Sequence, residues 1–277
     1  MPTASNGSVD LYYETFGDHS HPALLLVNGL GSQCIRYAEA WCQLFVDTGF
    51  FVIRFDNRDV GLSTKLDGDE GHDYTLSDMA ADAIAVLDAA EVDRAHVMGF
   101  SMGGMIGQTL AIEHPDRVLT LTSVMSTTGD RDVGQSSPEA ARLLVTPAPP
   151  TREGVIERAI EAARTYGSPD HIDIERISQM AGADFDRCFH PRGTARQYAA
   201  VGRSGSRSEA LRSVEVPTLV IHGDQDRLID PSGGRRTAEV IPGATFVLIE
   251  GMGHDYPPVF WERIVGLVSG HTGVSSA

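Results

Sequence analysis

Short apolar runs alternate with stretches of helical periodicity along the first half of this chain, and that rhythm restricts its fold more than any single residue. Ala23–Val27 is a continuous apolar run, and Phe51–Phe55 is one broken only by Arg54, as expected of strands covered on both faces. Residues 95–98 and 118–125 repeat the signal. Helical patterns fill the gaps. One runs through Trp41, Leu44 and Phe45 and ends near Gly49. A second covers residues 75–90, where Leu76, Met79, Ala83, Val86 and Leu87 recur at helical spacing and Thr75 or Ser77 stands near the start. A third covers residues 105–114 and stops at His114-Pro115, because the residue before proline resists helix. Val9–Phe16 alternates weakly and is expected as an edge strand or hairpin. Strand, helix and strand in turn predict βαβ units, hence an α/β fold with a mostly parallel central sheet flanked by helices.

The rhythm lapses after Ser126. Residues 130–212 contain no convincing strand; residues 147–150 form a proline-rich joint, and 155–166, 172–181 and 194–201 read as helical. Residues 202–208 read as a Gly/Ser/Arg loop. This stretch holds twelve Arg and twelve Asp or Glu, whereas the whole chain carries a net charge of −16. A neutral, Arg-rich segment inside an acidic body is expected to be a separate unit: a helical cap, residues 130–212, inserted after the sixth strand. The core then comprises residues 1–129 and 213–277. Strand signals resume at residues 216–221, a helix follows from about Ser232, and residues 245–249 form the last strand. Residues 258–268 close the chain as a helix, with a frayed tail from Ser269.

Composition excludes several classes. With 277 residues the chain is long enough for a sizeable core. The acidic balance disfavours nucleic acid or an anionic membrane as partner. No apolar run approaches the length of a membrane span, and the first ten residues lack the basic start and apolar centre of a signal peptide. Cys34, Cys42 and Cys188 are too few, and odd in number, for a disulfide framework; they are expected as free thiols in a reducing cytoplasm. None has zinc-ligand spacing, so no metal is expected.

Gly99-Phe100-Ser101-Met102-Gly103 lies between the run at 95–98 and the helical pattern that follows. A serine at so sharp a strand-to-helix turn is forced into strained backbone with its hydroxyl at the tip, and its neighbours must be small where strand and helix nearly touch. The first amides of the helix point at the same spot, where an anion is welcome. Ser101 as a plain helix N-cap is the alternative. Groups that act together in an open parallel sheet gather at the carboxyl ends of strands. Four such ends stand out: residues 28–32, Ser101, residues 224–230 and residues 251–255.

A neutral serine is a poor nucleophile and needs a base. His254, in a glycine-rich loop after the last strand, is the candidate base, and Asp226 the candidate that accepts its other N–H. Asp224 and Asp230 compete for that position; Asp224, next to the turn glycine, is expected to bond its own loop. His222 also sits at a strand end but precedes Asp226. An oxyanion formed on a substrate carbonyl needs preorganised donors, expected from the backbone N–H of Met102 and of Leu30. Phe100, Gly29 and Leu30, with Met102, are expected to wall the substrate pocket.

These motifs together resemble the serine α/β-hydrolases over nearly the whole chain. Gly99 to Gly104 matches the family's elbow, and Asp56-Asn57-Arg58-Asp59-Val60-Gly61-Leu62-Ser63 matches its Asp-x-Arg-x-x-Gly-x-Ser loop. His222-Gly223-Asp224-Gln225-Asp226 and Gly251-Met252-Gly253-His254 match its acid and histidine segments, in the order Ser, Asp, His. Within the family the chain is similar to small bacterial carboxylesterases of the aclacinomycin methylesterase type. Asn28 is a departure, standing where many members have His, and is expected to shift local hydrogen bonding. The resemblance implies a carboxylic ester hydrolase without cofactor or metal, acting on a small ester that the neutral cap suggests is neutral and fairly apolar. A thioesterase, a C–C bond hydrolase, a cofactor-free perhydrolase and a receptor with a vestigial triad are the alternatives.

Overall fold

The computed structural model describes residues 2–68 and 73–275. Strands β1 (Thr3–Asn6) and β2 (Val9–Phe16) form an antiparallel hairpin, turning through Gly7 at φ 61°. The strands that follow are β3 (Ala23–Val27), β4 (Phe51–Phe55), β5 (Ala95–Phe100), β6 (Val118–Val124), β7 (Thr218–Gly223) and β8 (Thr245–Ile249). They make one eight-stranded sheet in the order β1-β2-β4-β3-β5-β6-β7-β8, parallel from β4 to β8. The weakly alternating segment is thus the inner half of a hairpin, and β1 is the outer edge.

Successive side chains of a strand point to opposite faces, so each apolar run feeds two cores. Leu24, Leu26, Val52 and Met98 face helices α1 (Glu39–Asp47) and, at the end of the chain, residues 261–272. Leu25, Val27, Ile53 and Val97 face α2 (Leu76–Ala89) and α3 (Met102–Glu113). Leu24, Leu25 and Leu26 are fully buried, and each such side chain contributes about 1.5–3 kcal/mol. At the start of α2 the Thr75 N–H donates to Asp78 Oδ2 at 2.8 Å, which fixes the boundary at the residue expected.

Between β6 and β7 come five helices and, among the described residues, no strand: α4 (Pro138–Val145), α5 (Arg152–Tyr166), α6 (Ile174–Arg187), α7 (Pro191–Ser204) and α8 (Ser208–Leu211). The sequence reading missed α4. It has eight residues and buries only Ala140 and Leu143, too short a stripe to register as a period. Its start is set by Ser137, whose hydroxyl accepts from the Ala140 N–H at 3.2 Å. The expected loop at 202–208 is also partly helical, since α7 runs to Ser204 and α8 begins at Ser208.

The chain finishes with α9 (Ser232–Val240) and α10 (Trp261–Thr272). The tail expected to fray from Ser269 continues instead as helix to Thr272 and ends at Gly273, whose φ of 72° favours glycine. Trp41 and Trp261 stack at 5.4 Å between centroids, joining α1 to α10. Among the described residues no helix is long and apolar enough to cross a membrane.

Candidate active site

The turn between β5 and α3 is sharp. Ser101 sits at φ 54° and ψ −118°, a conformation that costs a non-glycine residue about 1–3 kcal/mol. Close packing holds it there. A Cβ on Gly99 would lie 2.1 Å from the Gly103 carbonyl oxygen, and one on Gly103 would lie 2.0 Å from the Val27 carbonyl oxygen. The Ser101 N–H donates to the Val124 carbonyl at 2.9 Å, and the Ser126 hydroxyl donates to the Ser101 carbonyl at 2.8 Å. α3 begins at Met102, three residues earlier than the periodicity suggested, because the glycine-rich first turn carries little apolar signal.

His254 Nε2 lies 3.0 Å from Ser101 Oγ, and His254 Nδ1 lies 2.7 Å from Asp226 Oδ2. The other carboxylate oxygen of Asp226 accepts from the N–H groups of Leu228 and Ile229, both at 2.9 Å. Burial alone would push the Asp226 carboxyl up. The His254 imidazole and hydrogen bonds with His222 and His254 outweigh it, and hold the group well below the usual carboxylate range. Asp226 is therefore a fixed anion behind the imidazole.

The competing residues have other partners. Asp224 Oδ1 accepts from the Gly251 N–H at 2.8 Å, so it ties β7 to the loop after β8 rather than bonding its own loop. Asp230 Oδ1 accepts from the Ser232 N–H at 2.9 Å, at the entry to α9. His222 Nε2 lies 2.8 Å from the Ile229 carbonyl oxygen and 3.2 Å from Asp226 Oδ2, behind the carboxylate rather than in front of it.

Ser101 and His254 open onto a cavity of about 850 Å³. Gly29, Leu30, Phe100 and Met102, all expected in the pocket, line it. Gly29 lies against the serine: a Cβ there would stand 3.3 Å from Ser101 Cβ. Asn28 points away, its side-chain amide donating to the Phe55 carbonyl at 3.3 Å. The far wall comes from the helices between β6 and β7, including Leu144, Ala159, Ala162, Ile177 and Met180.

Several lining residues escaped the sequence reading. Arg36 and Arg176 reach the cavity; Arg36 pairs with Asp184, and the Arg176 guanidinium lies 4.9 Å above the Trp261 ring. The histidine loop is clamped by the end of α5 and the residues just after it. The His254 N–H donates to the Tyr166 carbonyl at 2.7 Å, and the Gly253 N–H donates to Ser168 Oγ at 3.0 Å. Ser168 in turn donates to Asp255 through both its hydroxyl and its N–H. Asp255 was adjacent to the candidate base in sequence, but nothing local marked the partner 87 positions away.

The Asp56–Ser63 motif proves to be a brace. Asp56 accepts from the Cys34 and Leu62 N–H groups at 2.6 and 2.8 Å, and pairs with Arg187 at 2.7 Å. Gly61, at φ 54°, leaves room for it: a Cβ there would stand 2.1 Å from Asp56 Oδ2. Arg58 is buried against Asp82 at 2.6 Å.

An elbow serine at the carboxyl edge of a mostly parallel sheet, hydrogen-bonded to a histidine and through it to an aspartate, defines a class of protein. The chain belongs to the α/β-hydrolase fold family, whose model matches residues 22–257. It is 32% identical over 299 residues to rhodomycin D methylesterase of Streptomyces peucetius, covering 98% of each chain. It is 27% identical to 3-oxoadipate enol-lactonase 2 of Acinetobacter baylyi, over 90% of this chain and 88% of that one. A solved structure of a hydrolase from Pseudomonas aeruginosa superposes with a TM-score of 0.77, at 27% identity over 98% of this chain and 97% of that one.

Proposed function

We propose that this carboxylic ester hydrolase acts through an acyl-enzyme on Ser101. The observation that carries the reading is the hydrogen-bonded line from Ser101 Oγ through His254 to Asp226, opening onto the cavity. Ser101 Oγ attacks the substrate carbonyl while His254 Nε2 takes its proton. The N–H groups of Leu30 and Met102 hold the oxyanion, in a site where preorganised donors are worth far more than in water. Collapse of the tetrahedral intermediate expels the alcohol, protonated by His254. Water, activated by the same imidazole, then releases the acid. Asp226 keeps the tautomer and stabilises the imidazolium.

The substrate is a small, neutral and fairly apolar ester. Support comes from the aliphatic far wall and from the two cavity guanidiniums, one already paired with Asp184 and the other stacked on Trp261. The likeness to a methylesterase supports a methyl ester, and the likeness to an enol-lactonase a cyclic one. Residues 130–212 act as the cap that shapes the pocket, over a core of residues 1–129 and 213–277. Three free thiols, two of them buried, support a reducing cytoplasmic setting.

The test is hydrolysis of p-nitrophenyl acetate, butyrate and octanoate by the wild type and Ser101→Ala. Removing the nucleophile should cost on the order of a million-fold in turnover. A wild type at background on all three esters, or a variant that keeps its rate, overturns the reading.

A further inference from the structure

Gln197 is the one fully buried amide side chain that α7 sends toward the reaction site. Its Oε1 accepts from the Gly31 N–H at 2.8 Å, and its Nε2 donates to the Arg58 carbonyl at 2.8 Å. One side chain thus joins the loop after β3, which carries Leu30, to the braced loop after β4. The closeness of α7 makes this possible. A Cβ on Gly193 would lie 2.0 Å from the Asp59 carbonyl oxygen, and one on Gly31 would lie 2.7 Å from Thr194 Oγ1. Arg196 pairs with Asp59 at 2.6 Å one residue before Gln197, so α7 is fixed on the second loop by charge as well as by packing.

The consequence for Leu30 follows from peptide geometry. Each peptide unit is rigid, and only φ and ψ rotate between units. The unit that carries the Leu30 N–H begins at Gly29, which lies against Ser101, and its carbonyl accepts from the Ser32 N–H at 3.2 Å, just beyond Gly31 in the same turn. The next unit ends in the Gly31 N–H, held by Gln197. Gly31 sits at φ 67° and has no side chain of its own to anchor it. Without Gln197 the second unit can rotate, the Ser32 N–H that follows it shifts off the Gly29 carbonyl, and the Leu30 N–H loses its aim.

We propose that Gln197 is a positioning residue for the oxyanion donor Leu30: the helical segment between β6 and β7 orients the reaction machinery as well as walling the pocket. This rests on the esterase reading above. Gln197 does not touch the reacting atoms. Its contribution is realised when negative charge develops on the carbonyl oxygen, so its loss should appear in kcat and leave KM nearly unchanged.

The test compares the wild type with Gln197→Met, close in size but lacking both hydrogen bonds, and Gln197→Glu, assayed where its buried carboxyl is protonated, which keeps an acceptor for Gly31 and a donor for the Arg58 carbonyl. Two quantities are measured: steady-state hydrolysis of p-nitrophenyl butyrate, and inhibition by an alkyl trifluoromethyl ketone. The ketone reports on the oxyanion site. Ser101 Oγ bonds to its carbonyl carbon, the π pair becomes the oxyanion, and the serine proton passes to His254 Nε2. Deleting a whole oxyanion donor costs about 100- to 1,000-fold, so misaiming one should cost about 10- to 100-fold. Gln197→Met should lose that factor in kcat and in ketone affinity alike, with KM within about two-fold, and Gln197→Glu should recover most of it. Gln197→Asn, one methylene too short to span both partners, is read in the same way should the methionine variant fail to fold. A kcat within two-fold of the wild type, a fall in kcat without a matching fall in ketone affinity, or no recovery in Gln197→Glu overturns the proposal. An inactive wild type, or an active Ser101→Ala, instead overturns the esterase reading.

Discussion

Ser168 Oγ accepts from the Gly253 N–H and donates to Asp255 Oδ1, so a single hydroxyl grips the chain on both sides of His254. Ser168 belongs to the segment after α5, while His254 follows β8. The approach leaves no room for a side chain: a Cβ on Gly253 would lie 2.2 Å from the Gly167 carbonyl carbon. The imidazole is therefore aimed by two parts of the chain that meet only in the folded protein.

Ser168→Ala removes that grip: it strands a buried Gly253 N–H and leaves the Asp255 carboxylate only the Ser168 backbone N–H. Burial already pushes the Asp255 carboxyl up, against the pull of its Ser168 hydrogen bonds, and losing the hydroxyl's bond raises it further. Stability should fall by about 1–3 kcal/mol, the cost of leaving a buried polar group unpaired. Turnover should fall by about 10-fold as His254 loses its aim. Urea denaturation and esterase kinetics on the same preparation check both, and an unchanged kcat would show that the loop holds itself.

Asp226→Asn preserves size but replaces the anion behind His254 with an amide that stabilises the wrong tautomer. Turnover should drop by about 10⁴-fold, with KM little changed. The N–H groups of Leu228 and Ile229 keep an acceptor in the amide oxygen, so the fold should survive. Circular dichroism and steady-state kinetics distinguish a catalytic loss from an unfolded chain. Asp224→Asn, at a carboxylate that accepts from the Gly251 N–H rather than facing His254, should by contrast cost under 10-fold.

His96 supplies a pH dependence of stability. It lies on β5, buried against Phe50, with Nδ1 2.9 Å from Thr120 Oγ1. Burial, with a smaller contribution from His271, pulls its pKa down to about 4. The unfolded chain therefore takes up this proton near pH 6.5, while the folded chain resists it until about 4. More protons bound in the unfolded state means that stability falls as pH drops through that window. The contribution, about 1–3 kcal/mol, is present in full above pH 6.5 and is lost as pH falls from 6.5 to 4. His96→Gln should flatten the profile there, measured as the urea midpoint against pH; a slope identical to the wild type would exclude His96 as its source.

Arg58 and Asp82 form a nearly solvent-free pair, with side chains 7% and 1% exposed. Burial pushes the Asp82 carboxyl up despite the adjacent guanidinium. Asp82→Asn leaves Arg58 charged and uncompensated, and should destabilise the protein by about 3–5 kcal/mol. The double variant Arg58→Met with Asp82→Leu should recover much of that loss, because it removes both charges. Thermal melts of the two variants decide it; equal melting temperatures would place the cost in packing rather than charge.

The sequence alone determined what depends on near neighbours. Strand and helix identities followed from apolar spacing, because alternation within a run of five residues dictates which faces it buries. The elbow was legible because Gly99, Ser101 and Gly103 are each required by the same tight turn, and chain order placed a histidine and an acid segment downstream. Four things were decided only in three dimensions. The choice of Asp226 over Asp224 and Asp230 was one, since all three share a loop and differ only in where each carboxylate points. The others were the clamp of Ser168 on Gly253 and Asp255, the span of Gln197 from Gly31 to Arg58, and the cavity wall made by α4 to α6. The clamp and the span join residues 85 to 166 positions apart. No local period or spacing encodes such a pair, because its energy exists only after the helical segment has folded back over the carboxyl edge of the sheet.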